Sequence, residues 1–464
     1  MSDKKGSTSS ALLLLSMVIL VGLVFYRQLF EDNGLLVKGK TDNCDEYLQD
    51  ADSLFAAKQY DKALNVYQNV LDCKPNDRYT KAQIRECTEN LDDTFQRTFG
   101  GAERDEGRSV VSAHNGGYVI AANTESFGSG GSDIHLMKLD RLGQLDWRRN
   151  YGGLRDEKAN DLIATKNGGY LVVGSTQTYG KGEEDMWLLK LNSSGRKDWE
   201  RTYGGEKQDI GLKVIALQDG NFVLSGLTQS QGMGKGDVWL LKIDADGDVL
   251  WEKTMGGEDW DVGMDVVEAE AGSLIVVGYS QSFNEKRTAD GWAAKIDASG
   301  DSIYWTQTFG GEQSDIFTNI VAAKDSTYIL AGNTKSYGNG AEDVWMLKID
   351  NKGRKIWQKT VGGKGRDIAN NLMVTSMGEY TVVGQTSSAG AGAEDAWLLG
   401  MDESGRFLWK NEVGSKGMDS GTAIVETADK GYVMVGATPT DKGDMDIWVI
   451  HLDGRGRKAH GELQ

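Results

Sequence analysis

The sequence predicts a mainly β fold, a seven-bladed β-propeller of four-stranded antiparallel blades preceded by a transmembrane helix and a small helical neck, and three observations carry that reading. A Gly-Gly mark recurs at Gly100-Gly101, Gly152-Gly153, Gly204-Gly205, Gly256-Gly257, Gly310-Gly311 and Gly362-Gly363, and ends as Gly414-Ser415. The intervals are 52 residues, with one of 54. Each interval reads as four short strands, and a period of roughly 40 to 50 residues with four strands marks a ring of sheets, because one small sheet cannot bury both its faces alone. Glycine is used 61 times and proline twice, which speaks for many tight turns rather than a disordered linker.

In the third repeat the strands are read at 213–216, 221–226, 238–243 and 249–254. Their unbroken apolar runs fit sheets covered on both faces. The second strand carries an aromatic at Tyr118, Tyr170, Phe222, Tyr328, Tyr380 and Tyr432, with Leu274 the exception. The fourth carries Trp147, Trp199, Trp251, Trp305, Trp357 and Trp409. Twelve of the 13 tryptophans fall at two repeating positions and are read as packing residues, leaving Trp260 outside the repeat in a Gly-Gly loop. Residues 95–101 match a fourth strand, so the N-terminal piece can complete the last blade and close the ring. The tail 457–464 is a poorer competitor, with His460 where Trp belongs.

At 464 residues the chain exceeds the usual single-domain size of roughly 250 to 300, so further regions precede the propeller at 94–464. After a polar tail at 1–10, residues 11–26 are sixteen uncharged and mostly apolar positions, which their flanks extend to a span of 11–30. No small-x-small cleavage site follows, so an uncleaved anchor is favoured over a signal peptide. Lys4 and Lys5 before the span, against Arg27, Lys38 and Lys40 after it, leave the charge rule nearly silent. The short basic tail favours an N-terminus inside the cell and the rest of the chain on the outer side of the membrane. A linker at 31–43 leads to a helical neck at 44–92.

The neck has helical periodicity. With Cys44 as the first position, Tyr47, Ala51, Leu54, Tyr60, Ala63, Tyr67 and Pro75 stand where a tetratricopeptide repeat has its characteristic residues, and the segment resembles one such repeat. It departs from that pattern at Asp50 and Val70. The resemblance implies two antiparallel helices with a turn at 59–61, and residues 81–91 are read as a third helix capping the pair. One repeat alone does not imply a peptide-binding groove, and a short helical spacer is the plainer reading. All three cysteines, Cys44, Cys73 and Cys87, precede the propeller, with neither a zinc spacing nor a disulfide framework. Antiparallel helices would bring Cys44 near Cys73, so these two can pair if this side of the membrane is oxidising.

The propeller resembles kelch, WD-repeat and quinoprotein-type propellers, and most closely the Gly-rich repeats of bacterial surface and periplasmic proteins. That likeness carries no enzyme motif, and the paired cysteines of a pyrroloquinoline-quinone dehydrogenase are missing from a region with no Cys. No cofactor is expected. The formal net charge of −18 excludes nucleic acid, whose phosphates would be repelled.

Two loops per blade fall on one rim: the Gly-Gly connection into each first strand and the turn between second and third strands. Five residues after each Gly-Gly mark begins comes an acid, Asp105, Glu157, Asp209, Asp261, Asp315, Asp367 or Asp419. Seven carboxylates at a channel mouth would draw a cation or a basic segment, but acceptance of turn N–H groups explains a residue present in every blade more simply. The same holds for the Asp-x-Trp acids, with His135 replacing Trp after Asp133. The Gly-x-Gly turns lead into strands rather than helices, which removes the dinucleotide reading. Residues 244–248 resemble part of a calcium loop without its distal Glu, and no metal is expected. No hydrolase triad or metalloprotease motif is present.

Distinct function is therefore expected where the repeat breaks. In the fourth repeat, residues 282–290 replace the Gly-x-Gly turn, Trp260 enters the Gly-Gly loop, and Trp260, Phe283, Lys286 and Arg287 form the candidate contact patch. The reading is a membrane-anchored, non-enzymatic scaffold that binds a protein partner through the propeller rim. The rival is a carbohydrate-binding or glycan-processing propeller at the cell envelope.

Overall fold

The computed structural model describes residues 44–90, 94–283 and 287–458. The expected membrane helix at 11–30 and its flanks lie outside the described residues, as do Lys286 and His460. Among the described residues no helix is long and apolar enough to cross a membrane. The chain divides into two compact units, Met1–Asp92 and Asp93–Gln464.

The first unit holds α1 (Cys44–Ala56), α2 (Tyr60–Cys73) and α3 (Arg78–Asn90). Ala51 and Ala63 are small enough to let helices approach, and with Tyr67 and Cys87 they form a small buried core. The Tyr67 hydroxyl donates to Asp52 at 2.5 Å. Cys44 and Cys73 form a disulfide, with their Cα atoms 6.0 Å apart. The turn comes earlier than the expected 59–61: Lys58 takes the left-handed conformation at φ 57°, and Tyr60 already opens α2, its ring set edge-to-face with Phe55 at 5.3 Å between centroids. The third helix also starts before residue 81. Asp77 caps it by accepting the Thr80 N–H at 2.8 Å and the Thr80 hydroxyl at 2.6 Å.

The second unit is a seven-bladed propeller of four-stranded antiparallel sheets, and six of the blades are continuous in sequence. Blade 3 shows the pattern, with strands Asp209–Ala216, Phe222–Thr228, Asp237–Ile243 and Val249–Met255 running outward from the axis. The middle strands are buried along their length because a neighbouring blade covers each face, as at Tyr170–Thr176 and Asp185–Leu191. The outermost strand is the most open to solvent, as at Lys197–Tyr203.

Each blade locks onto the next through the outer tryptophan. Trp147, Trp199, Trp251, Trp305, Trp357 and Trp409 cover Gly195, Gly247, Gly300, Gly353, Gly405 and Gly456, the turn glycines of the following blade. These glycines have φ between 70° and 84°, so the site requires both left-handed backbone and room for an indole.

The seventh blade is closed by the chain's own beginning. Strand Gln96–Phe99 pairs with Met445–Leu452, in register from Gln96 opposite Ile450 to Phe99 opposite Ile447. Phe95 stands in the tryptophan position and covers Gly143 of blade 1, with Tyr118 at 6.3 Å and His451 at 5.9 Å between ring centroids. From the tail, Lys458 makes an isolated bridge to Leu452 and holds its ammonium 5.8 Å from the centre of the Trp448 ring.

Phe95→Ala should weaken this closure by about 3 kcal/mol, since Phe95 is a buried aromatic at the one seam not closed by sequence neighbours. Tyr304→Ala, on an exposed outer position, should change stability by less than about 0.5 kcal/mol. Denaturant unfolding followed by tryptophan fluorescence separates the two. Equal midpoint shifts would remove the assigned role of Phe95.

Candidate functional site

At each boundary between blades the two rim loops meet. The acid that opens one blade donates its N–H to the residue before the Asp-x-Trp acid of the preceding blade, as Glu157 does to Ser132, Asp209 to Glu184 and Asp367 to Glu342, each at 2.7 Å. Its side chain turns back into its own loop. Asp105 accepts from the Gly101 N–H at 2.9 Å and the Ser126 hydroxyl at 2.7 Å, and Glu157 from the Gly153 N–H at 2.5 Å. Asp209 accepts from Gly205 and Ser230, Asp261 from Gly257 and Ser282, Asp315 from Gly311 and Thr334, Asp367 from Gly363 and Ser388, and Asp419 from Ser415 and Thr438. All seven are at most 1 % exposed. The ring expected from the sequence exists, but its carboxylates face their own turns rather than an open mouth.

The Asp-x-Trp acids serve the facing turn. Asp133 accepts the Ser129 N–H at 2.9 Å, Asp185 those of Lys181 and Gly182 at 2.9 Å each, and Asp343 that of Asn339 at 2.8 Å. Burial pushes the carboxyls of Asp133, Asp237 and Asp446 above the usual carboxylate range. Glu157, Asp261 and Asp105, respectively, add to that rise.

The axis of the ring is lined by what the blades do not share. Each innermost strand carries a bulge at the third residue after its opening acid, at Arg108, Asn160, Leu212, Met264, Thr318, Asn370 and Thr422. Asn160 and Asn370 donate to the Gly211 and Gly421 carbonyls of the next blade at 2.8 Å, and Thr422 closes the circle onto the Gly107 carbonyl at 2.6 Å. The residue after the bulge also enters the channel. There Lys213 stands between Asp161 of blade 2 at 3.5 Å and Asp265 of blade 4 at 3.9 Å. Asp161 also accepts from Ser109 of blade 1 at 3.1 Å, and Asp265 from the Ile320 N–H of blade 5 at 2.9 Å, so one cation ties five blades together. Burial works against the Lys213 charge, but Asp161 and Asp265 outweigh it and hold the ammonium above the usual lysine range.

The channel is a polar cavity of about 320 Å³. Glu106, Arg108 and Asn160 line both this channel and a basin of about 640 Å³ at the rim between blades 1 and 2. Glu106 lies between Arg104 and Arg108, 3.2 Å from each. Reading the repeat for shared residues misses this lining. The signal was available as the pair of positions after each opening acid that changes from blade to blade.

At blade 4 the structure brings Trp260, Phe283 and Arg287 to one loop pair, and Lys286 lies outside the described residues. Trp260 is half-buried rather than exposed. Its backbone bridges Gly236, where a side chain would run into the indole. Phe283 is 49 % exposed and stacks over Trp292 at 6.4 Å. The same place is held by Phe127 over His135, Tyr179 over Trp187 and Tyr337 over Trp345, so Phe283 is a member of the repeat and not a departure from it. Arg287, left-handed at φ 55°, reaches Asp259 at 3.4 Å and Glu258 at 4.0 Å. Lys235 shares Asp259 at 2.8 Å.

Trp187, Trp239 and Trp345, which a sugar-stacking rim would need at its surface, are 1 to 2 % exposed. Among the described residues no group of three or more His, Cys, Asp or Glu side chains is arranged to hold a metal ion. The Asp244 carboxylate accepts the N–H groups of Asp246 and Asp248 at 2.9 Å, as an aspartate does in a turn. His135 is buried with Nδ1 2.5 Å from Asn150 Oδ1, and burial lowers its proton affinity.

No family model matches the chain. A stretch of 138 residues, 26 % of this chain, is 28 % identical to the Regulatory protein FlaEY of Caulobacter vibrioides and covers 14 % of that protein's length. The Pan2 WD40 domain of Neurospora crassa is similar over 75 % of this chain and 97 % of its own, at 9 % identity and a TM-score of 0.44. The β-propeller domain of the Trilobed protease from Pyrococcus furiosus is similar over 78 % of this chain and 100 % of its own, at 9 % identity and a TM-score of 0.42.

Three substitutions test this geometry. A Cβ on Gly362 would run into Asp343 Oδ1 and lie 2.8 Å from Asp367 Oδ2, so Gly362→Ala should cost about 3 kcal/mol. Gly220→Ala, in a turn with open space at φ 90°, should cost about 1 kcal/mol. Lys213→Met leaves two buried acids without their cation and should cost about 2 kcal/mol near neutral pH. The Lys213→Met loss should shrink towards pH 4, because burial holds the Asp265 carboxyl above the usual carboxylate range and lets it take a proton there. A pH-independent Lys213→Met loss in thermal melts, or equal glycine costs, would contradict these assignments.

Proposed function

We propose that this chain is a membrane-tethered, non-enzymatic scaffold whose propeller binds a protein partner at the rim, through the loops of blade 4. The observation that carries the reading is the blade 4 rim itself. There an exposed Phe283 and a half-buried Trp260 stand on the two rim loops, with Arg287 in left-handed backbone on the segment that replaces the Gly-x-Gly turn of most other blades. Aromatic and arginine side chains dominate the energetics of protein interfaces. The partly similar protein from Caulobacter vibrioides bears the name of a regulatory protein, which accords with a role that needs no catalysis.

In this reading residues 11–30 anchor the chain with its N-terminus in the cytoplasm, and the tetratricopeptide-like neck and propeller lie on the outer side. The Cys44–Cys73 disulfide supports that side, because such bonds persist in oxidising compartments. The buried tryptophans of the third strands leave the carbohydrate reading without its stacking surface.

Crosslinked capture from cells expressing the full chain tests the site. The double variant Phe283→Ser with Arg287→Glu should retain about a tenth or less of the captured partner, with an unchanged melting profile. Equal capture by variant and wild type would remove blade 4 as the site. Thiol labelling of the protein taken directly from cells should find Cys44 and Cys73 blocked until reductant is added, and free thiols at both would overturn the outer placement.

A further inference from the structure

The two sets of rim acids meet across the first glycine of each Gly-Gly mark. Over Gly152 stand Asp133 and Glu157, over Gly204 Asp185 and Asp209, over Gly256 Asp237 and Asp261, over Gly362 Asp343 and Asp367, over Gly414 Asp395 and Asp419, and over Gly100 Asp446 and Asp105. In each pair, one oxygen of each carboxylate lies within 3.0 Å of the place a Cβ on that glycine would occupy. The bare glycine is what allows two acids from adjacent blades to face each other so closely. Asp290 and Asp315 repeat the arrangement over Gly310.

None of the twelve acids in those first six pairs forms an ion pair among the described residues, although the ion pairs recorded elsewhere on the chain number well over a dozen. The Oδ2 atoms of Asp133, Asp185, Asp237, Asp343 and Asp395 are turned to backbone N–H groups of the adjoining turn. Their Oδ1 atoms are turned to the facing acid, and Oδ1 of Asp343 and of Asp446 is buried with no hydrogen-bond partner. Two buried carboxylates gathered over one glycine repel if both are charged. One proton between them replaces that repulsion by a charge-assisted O–H···O hydrogen bond.

We infer that the seams of Asp133, Asp237 and Asp446 each bind one proton, carried on Oδ1 of that Asp-x-Trp acid and donated to the facing carboxylate, so that the cohesion of these three blade joints falls as pH rises. The upward displacement of Asp133, Asp237 and Asp446, caused by burial first and the facing acid after it, agrees with this assignment. Lys197 acts on Tyr179 and Arg148 on His135; the other titratable groups that act on the seams are anionic or neutral. They are Asp156 near Asp133, Asp444 near Asp446, the Tyr179 hydroxyl near Asp133 and Glu157, the Tyr337 hydroxyl near Asp290 and Asp315, and His135 towards Asp105. For a carboxyl held above its unfolded value, the stabilisation is complete below about pH 4, where both states are protonated. It is lost as pH rises from there through the folded value.

Thermal melts of the full chain from pH 4.5 to 8, with infrared detection of protonated carboxylic acid, test the inference. The wild type should melt about 5 °C or more lower at pH 8 than at pH 5, and should keep a protonated-carboxyl band near neutrality. In the triple variant Asp133→Asn, Asp237→Asn, Asp446→Asn, each amide can accept from the turn and donate to the facing acid without a titrating proton. It should fold, lose much of the band and show a slope less than half as steep. If the triple variant does not fold, Asp133→Asn alone and the wild-type band and slope decide. Parallel slopes, or a wild type without the band whose melting temperature rises on adding millimolar calcium at pH 8, would overturn the inference, the latter by putting a cation where the proton is assigned.

Discussion

The propeller depends on the way one blade holds the next at the rim. An acid turns its carboxylate into its own Gly-Gly loop, gives its backbone N–H to the blade before it, and shares the space above a bare glycine with a second acid. Loop conformation, blade spacing and charge are set together at that point. The reason is steric as much as electrical: the glycine admits both carboxylates, and both carboxylates exclude any side chain there. The outer tryptophan repeats the logic at the opposite end of the blade, where a left-handed turn glycine receives an indole. A period of 52 residues is thus the length over which two glycine sockets and their occupants recur.

The channel obeys a different rule. Its lining is supplied by bulged positions whose side chains are free to differ, and the differences are distributed unevenly. Blades 2 to 4 supply Asp161, Lys213 and Asp265, blades 5 and 6 supply Asn319 and Asn371, and blade 7 supplies Ala423. A ring built from near-identical sheets is therefore chemically lopsided along its axis, with an ion-paired cluster on one side and amides on the other.

Most of the architecture was legible in the sequence because it is repeated. Gly-Gly spacing, the tryptophans and the match of 95–101 to a fourth strand led to seven blades and their closure, all of which the sheet pairings display. The helices of the neck were legible, while their ends were displaced by local effects: the left-handed Lys58 and the Asp77 cap. The site was less legible. Phe283 read as a departure because its glycine neighbours had changed, yet its ring does what Tyr179 and Tyr337 do. Trp260 read as a contact candidate because it lies outside the repeat, yet Gly236 leaves room for its indole to be half-covered. The pairing of rim acids was invisible along the chain, since the partners in a seam are about half a repeat apart and meet only through the ring.

Closure by Phe95 and the strand after it also orders events in time. Six blades are complete as soon as their own stretch of chain has emerged, because every strand pairs with a sequence neighbour. The seventh needs a strand made at residue 96 and a strand that ends at residue 452. During synthesis the first strand must wait, unpaired, while the rest of the ring is produced, and a contact of such sequence separation forms slowly. Until then the row of blades is open, with one sheet face uncovered at each end, and it is the arrival of the final strand that converts a row of sheets into a single cooperative object.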